Sequence, residues 1–180
     1  MNVTLANMGV PMIFVMLPQM IYFFIPVVII EGLLARRIPV KDGKGRWGPV
    51  LIANLVSTVV GWPISWGLYL LVVMGLDKIG AHTLFSGSPL EAIAVYFSVA
   101  PWVPPYGENL EPMIIVAGAI LLVPFFLASV IIERGVYYTA WHDTDRAVVR
   151  RFSWISNLFS YLFLYLAYGL LAGVTLDHIL

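Results

Sequence analysis

The sequence predicts an all-α polytopic membrane protein. It has four transmembrane helices in two tandem, like-oriented hairpins (a parallel repeat), with a short helix at the outer interface between them. Three observations predict it. Four long apolar runs punctuate the chain, nine of its ten basic residues gather around the two short turns, and segments of the first half recur in the second. Composition sets the class. Of 180 residues, 61% are apolar and 11% charged, and the mean hydropathy is +0.91. A soluble domain is typically ~25% charged. Ten Lys and Arg balance ten Asp and Glu. Without a basic surplus to neutralise phosphates, a nucleic-acid partner is excluded. There is no cysteine, which excludes a disulfide framework, a thiolate zinc site and a cysteine nucleophile.

A spanning helix needs ~20 mostly apolar residues. The first run covers 12–34, with Glu31 its only charge. It has no basic segment before it and is followed by Arg36 and Arg37, so we read it as a retained span and not a signal peptide. The second, 47–74, carries no charge. It exceeds the bilayer thickness and is expected to tilt or protrude. The third, 113–138, ends among Tyr137, Tyr138 and Trp141, an aromatic belt at the boundary. The fourth covers 152–176. Three units result: a first hairpin (1–76), an outer loop (77–112) and a second hairpin (113–180). In the outer loop, Ser88-Pro89-Leu90-Glu91 reads as a helix start, giving a helix over 89–99 that Pro101, Pro104 and Pro105 stop. At ~11 residues it cannot cross the bilayer, and its apolar composition calls for burial at the outer interface.

Orientation follows from the basic residues. Arg36, Arg37, Lys41, Lys44 and Arg46 surround the first turn; Arg134, Arg146, Arg150 and Arg151 surround the second. The positive-inside rule places loops 35–46 and 139–151 in the cytoplasm and both termini outside.

The repeat pairs 23–31 with 125–133, identical at six of nine positions at an offset of 102. Asn54-Leu55-Val56-Ser57 pairs with Asn157-Leu158-Phe159-Ser160, and Leu76-Asp77 with Leu176-Asp177. Both copies turn on the positively charged side, so they relate by an axis along the membrane normal. Gly61, Gly118, Ala119, Gly169 and Gly173 are candidates for close helix contact. Pro18, Pro26, Pro63 and Pro124 are expected to kink the spans.

The repeat also duplicates a polar set. Glu31 lies ~7 Å and Asn54 ~10 Å inside the cytoplasmic boundary at 1.5 Å per residue. The two therefore face each other across a hairpin, and Ser57 shares the face of Asn54. Glu133, Asn157 and Ser160 are the second copy. The candidate site is thus an intramembrane cluster of Glu31, Asn54, Ser57, Glu133, Asn157 and Ser160, near the pseudo-axis in the cytoplasmic half. Ionisable groups in hydrocarbon are costly, and carboxyls there suit proton or cation handling. The alternative is that Glu–Asn bonds simply join helices.

Other features are weaker. His82, His142 and His178 have no partner at metal-ligand spacing. Glu108, Asn109 and Glu111 form an acidic patch without an EF-hand pattern. The glycines of Lys41-Asp42-Gly43-Lys44-Gly45-Arg46 are turn residues, not a phosphate loop. No catalytic, metal-binding or cofactor-binding set is expected.

The residues 26–31 and 53–66, from Pro26-Val27-Val28-Ile29-Ile30-Glu31 to Gly61-Trp62-Pro63-Ile64-Ser65-Trp66, resemble small four-span bacterial inner-membrane proteins. The resemblance covers the first hairpin best. It implies a bacterial inner-membrane location and brings no activity with it. The expected function is association: a small accessory subunit of a membrane complex, or a homo-oligomer, with the lipid bilayer and a membrane-protein partner around it. The alternative is a small proton- or cation-coupled transporter or channel that uses the intramembrane carboxyls. An enzyme is not expected.

Overall fold

The computed structural model describes residues 10–39, 45–78, 80, 86–88, 97, 98, 100, 102, 103 and 110–177. Among the described residues the chain is all-α apart from one two-residue ladder. Its four long helices are α1 (Met12–Ala35), α2 (Trp47–Lys78), α3 (Leu110–Ala140) and α4 (Arg146–Asp177). Strand β1 (Val10–Pro11), just before α1, pairs antiparallel with β2 (Trp102–Val103). Among the described residues, three helices are long and apolar enough to cross a membrane: α1 over Met16–Ala35, all of α2, and α3 over Ile115–Ala140.

Helix α4 is different for a physical reason. Its buried face carries Ser153, Ser156, Asn157 and Ser160, while its exposed face carries Trp154, Ile155, Leu158, Phe159, Leu162 and Leu166. That is the reverse of a water-soluble amphipathic helix, which turns its apolar stripe to the core. Helix α1 likewise exposes Phe14, Leu17, Ile21, Ile25, Ile29 and Leu33 along one face. Surfaces of this kind are stable against lipid tails.

The helices form a ring in which each packs on its sequence neighbours and α4 closes against α1. After α1, Ile38 N–H donates to the Ala35 carbonyl at 3.1 Å, and the Arg46 guanidinium reaches the Ile38 carbonyl at 3.3 Å. Helix α4 begins six residues before the apolar run at 152, because Asp145 caps it: its Oδ1 accepts from Ala147 N–H at 2.8 Å. Hydropathy delimits what hydrocarbon can cover, whereas a helix continues to its cap.

Just before Pro63, α2 changes its winding. Pro63 has no N–H to give, and its ring crowds the carbonyl four residues back. The preceding turn, Ser57–Gly61, widens into a π-helix, and Trp62 N–H bonds the Ser57 carbonyl. At Gly61 an added Cβ would lie 2.6 Å from Ile132 Cδ1, so α2 and α3 approach closely there. Gly169, also a candidate for close contact, meets nothing within 4 Å.

Two apolar cores result. One, at the arginine-bearing end, joins Ala35, Ile38, Val50, Ala53, Tyr137, Trp141, Val149 and Phe152; there Tyr137 stacks on Trp141 at 4.8 Å and Phe152 meets both edge-on. The other, at the opposite end, joins Met12, Met16, Trp62, Tyr69, Leu121, Leu122, Phe125 and Tyr168. The polar residues form a layer between them. Of the helix expected over 89–99, only Phe97 and Ser98 are described, and both are helical. The rest lies outside the described residues, as do Lys41, Lys44, His82, Glu108, Asn109 and His178. The Phe97 carbonyl accepts from Tyr69 Oη at 2.8 Å, which ties the outer segment to α2.

Candidate functional site

Each hairpin supplies one carboxyl and one amide from facing helices. Asn54 Nδ2 on α2 donates to Glu31 Oε2 on α1 at 2.9 Å and to the Val50 carbonyl at 3.0 Å. Asn157 Nδ2 on α4 donates to Glu133 Oε2 on α3 at 2.7 Å and to the Ser153 carbonyl at 3.0 Å. The bond to the carbonyl one turn back locks each amide against its own helix. The remaining carboxyl oxygens are bonded crosswise. Ser57 Oγ on α2 donates to Glu133 Oε1, and Ser160 Oγ on α4 donates to Glu31 Oε1, both at 2.8 Å. The amides thus bond within hairpins and the serines between them. All six residues expected from the sequence meet in this layer, and all six are buried.

The two carboxyl groups are neighbours in this layer, close enough to act on each other electrostatically. Tyr137 Oη donates to Glu31 Oε2 at 3.3 Å and lies near Glu133 as well. Among the described residues, every group that bonds either carboxyl is neutral. No third Asp, Glu, His or Cys among them joins the pair to make a metal site. His142 lies apart, exposed in the α3–α4 turn and 3.3 Å from Asp143.

A cavity of about 60 Å³ extends from the carboxyl pair toward the opposite end of the bundle, lined by Thr58, Trp62, Ser129, Tyr161, Gln19 and Tyr168 among others. Four to six waters fill such a volume at ~10–15 Å³ each, and a drug-sized ligand needs ~300–1,000 Å³. Size therefore favours water and protons. Along the cavity, Ser129 Oγ and Tyr161 Oη bond at 3.0 Å, and Tyr168 Oη bonds Gln19 Oε1.

Protein-family models, curated proteins and solved structures offer no match to this chain. The site's meaning therefore rests on its own chemistry.

Several of these residues escape a reading by sequence alone. Tyr137 reads as part of an aromatic belt, yet it bonds one carboxyl and lies near the other. Ser129, Tyr161, Trp62, Gln19 and Tyr168 carry no repeat signal. Helical spacing does mark some of them: Ser129, Glu133 and Tyr137 are each four apart, as are Ser153, Asn157 and Tyr161, and residues four apart share a helix face.

The Gln19–Tyr168 contact depends on a glycine. An added Cβ at Gly118 would lie 2.8 Å from the buried Tyr168 ring. We expect Gly118→Ala to push that ring off Gln19 and to cost about 1–3 kcal/mol, the usual range for overpacking. The melting midpoint in mild detergent measures this; an unchanged midpoint would mean the ring moves freely.

Proposed function

We propose that this chain is a four-span bacterial inner-membrane protein whose Glu31–Glu133 pair binds and releases a proton, serving proton conduction or proton-coupled transport. The observation that carries the reading is the carboxyl pair itself: two buried acids lie side by side, held among the described residues by neutral donors only. Burying two bare negative charges side by side without a cation is very costly. One proton held between them removes the repulsion and leaves each remaining oxygen an acceptor for the amides and hydroxyls.

The reading includes α4 as the fourth span, supported by its polar inside and apolar outside. It includes two tandem hairpins from an internal duplication, supported by the matching Glu–Asn bonds and crossed Ser–Glu bonds. It places the arginine-bearing turns in the cytoplasm, since Arg36, Arg37, Arg46, Arg146, Arg150 and Arg151 cluster at that end. Association as an accessory subunit or homo-oligomer draws on the exposed apolar faces, but lipid-facing helices need such faces in any case.

The test is proton flux. The chain is reconstituted in vesicles that enclose a pH-sensitive dye, and a pH step is applied. Glu31→Gln and Glu133→Gln should each slow dye response by about 10²-fold, a usual effect of removing a proton-transferring group, with helical content unchanged. Equal flux in wild type and both variants would make the pair a helix joint and sink the proposal.

A further inference from the structure

We propose that the cavity holds a file of water that conducts protons between the carboxyl pair and the Gln19–Tyr168 contact, with the Ser129–Tyr161 hydroxyl pair as its relay. This rests on the preceding reading, that the pair holds an exchangeable proton, and adds the route that the proton takes.

Two orphaned polar atoms point to water. Asn157 lines the cavity and is wholly buried, and its Oδ1 has no partner among the described residues. The amide cannot be turned to relieve this. Its other end contacts a carboxyl oxygen and a backbone carbonyl, both acceptors, so that end must be the NH₂ group. Trp62 lines the same cavity, nearly buried, and its Nε1–H has no partner among the described residues. One orphan is an acceptor and the other a donor. A metal cation would satisfy only the acceptor. Water serves both, because it donates and accepts.

Length and volume agree. Gln19 is twelve residues from Glu31 on α1, and Tyr168 is eleven from Asn157 on α4. At 1.5 Å per residue these separations are ~18 and ~17 Å. Hydrogen-bonded oxygens are ~2.8 Å apart, so about six links span the distance. Four to six waters fit, and the Tyr161 hydroxyl stands in the row. Thr58, Ser129 and Tyr161 sit one turn outward from the acid layer, and Trp62 one turn further. The walls between them (Phe23, Phe24, Val27, Leu122, Phe125, Leu164) are apolar, so they offer the proton no competing acceptor.

Transport along the file balances. A proton leaves the pair as one carboxyl O–H bond breaks. A water takes it up and hands a proton to Tyr161 Oη, which passes its own proton to the next water. When the file has relaxed, every water and hydroxyl is restored, one proton has emerged beside Gln19, and the pair carries one more negative charge until it is reprotonated. Trp62 takes no proton; it positions a water by donating to it.

The experiment is infrared spectroscopy of the full chain in lipid nanodiscs, switched from H₂O to D₂O. The protonated carboxyl gives a C=O band that shifts on deuteration, and its shift times proton access without requiring turnover. Tyr161→Phe, Trp62→Phe and the cavity-filling Leu164→Trp should each slow the shift at least tenfold. Tyr165→Phe, which loses only an exposed bond to the Ala119 carbonyl, should not. If Leu164→Trp fails to fold, the two conservative variants decide. Rates within twofold of wild type in both would overturn the water file while leaving the proton-binding pair intact. A band that is absent in wild type, or that survives in Glu31→Gln combined with Glu133→Gln, would overturn the pair and the file together.

Discussion

Glu31→Leu is expected to lower unfolding stability by about 2–4 kcal/mol. Glu31 accepts from Asn54, Ser160 and Tyr137, all of them buried. Leucine accepts nothing, and it leaves Glu133 facing hydrocarbon. Each interhelical polar contact in a membrane is worth ~0.6–1.7 kcal/mol, and three are lost. The loss stays moderate because two donors have fallbacks. Asn54 keeps the Val50 carbonyl, and Ser160 keeps the Asn157 carbonyl at 3.1 Å. Glu31→Gln should cost only about 1 kcal/mol, since its carbonyl still accepts one bond. Reversible unfolding of each variant in mixed micelles measures the difference. Leucine and glutamine variants of equal stability would show that the acceptor role of Glu31 contributes nothing to folding.

The crossed bonds give a second large effect. If the chain is split within the outer loop and its halves are co-expressed, the hairpins should co-purify. Between them run Ser57–Glu133, Ser160–Glu31 and Tyr137–Glu31. Changing Glu31 and Glu133 to leucine removes all three. At ~0.6–1.7 kcal/mol each, the sum is about 2–5 kcal/mol. Each 1.4 kcal/mol is a factor of ten, so the association constant should fall roughly 30- to several-thousandfold. By contrast, Asn54→Ala with Asn157→Ala removes bonds within hairpins and should leave co-purification nearly intact. Equal losses from both pairs of substitutions would contradict the division of labour between amides and serines.

Much of the site is legible in the chain because hydrocarbon penalises polar groups. In a run such as 12–34, a single carboxyl stands out against its surroundings, and its recurrence 102 residues later, with Asn and Ser repeated as well, marks the set. The legibility stops where a residue suits both roles. A tyrosine is at home in a membrane interface and in a hydrogen-bond network, so Tyr137, Tyr161 and Tyr168 could not be sorted by type. Ser129 hides for a related reason: a helix serine can satisfy its hydroxyl on its own backbone and need not face anything.

The sequence by itself determined the class, the apolar runs, the turns and the six polar residues, because those follow from local composition and spacing along a helix. Tertiary structure alone decided which groups meet. Serines could have bonded within their own hairpin; the ring order of the helices sends them across. The π-turn before Pro63 and the cap at Asp145 set how far α2 and α4 extend and which way their faces turn. The cavity beyond the carboxyls belongs to no single helix. It is the space left where four faces fail to close, and only the packing of all four defines it.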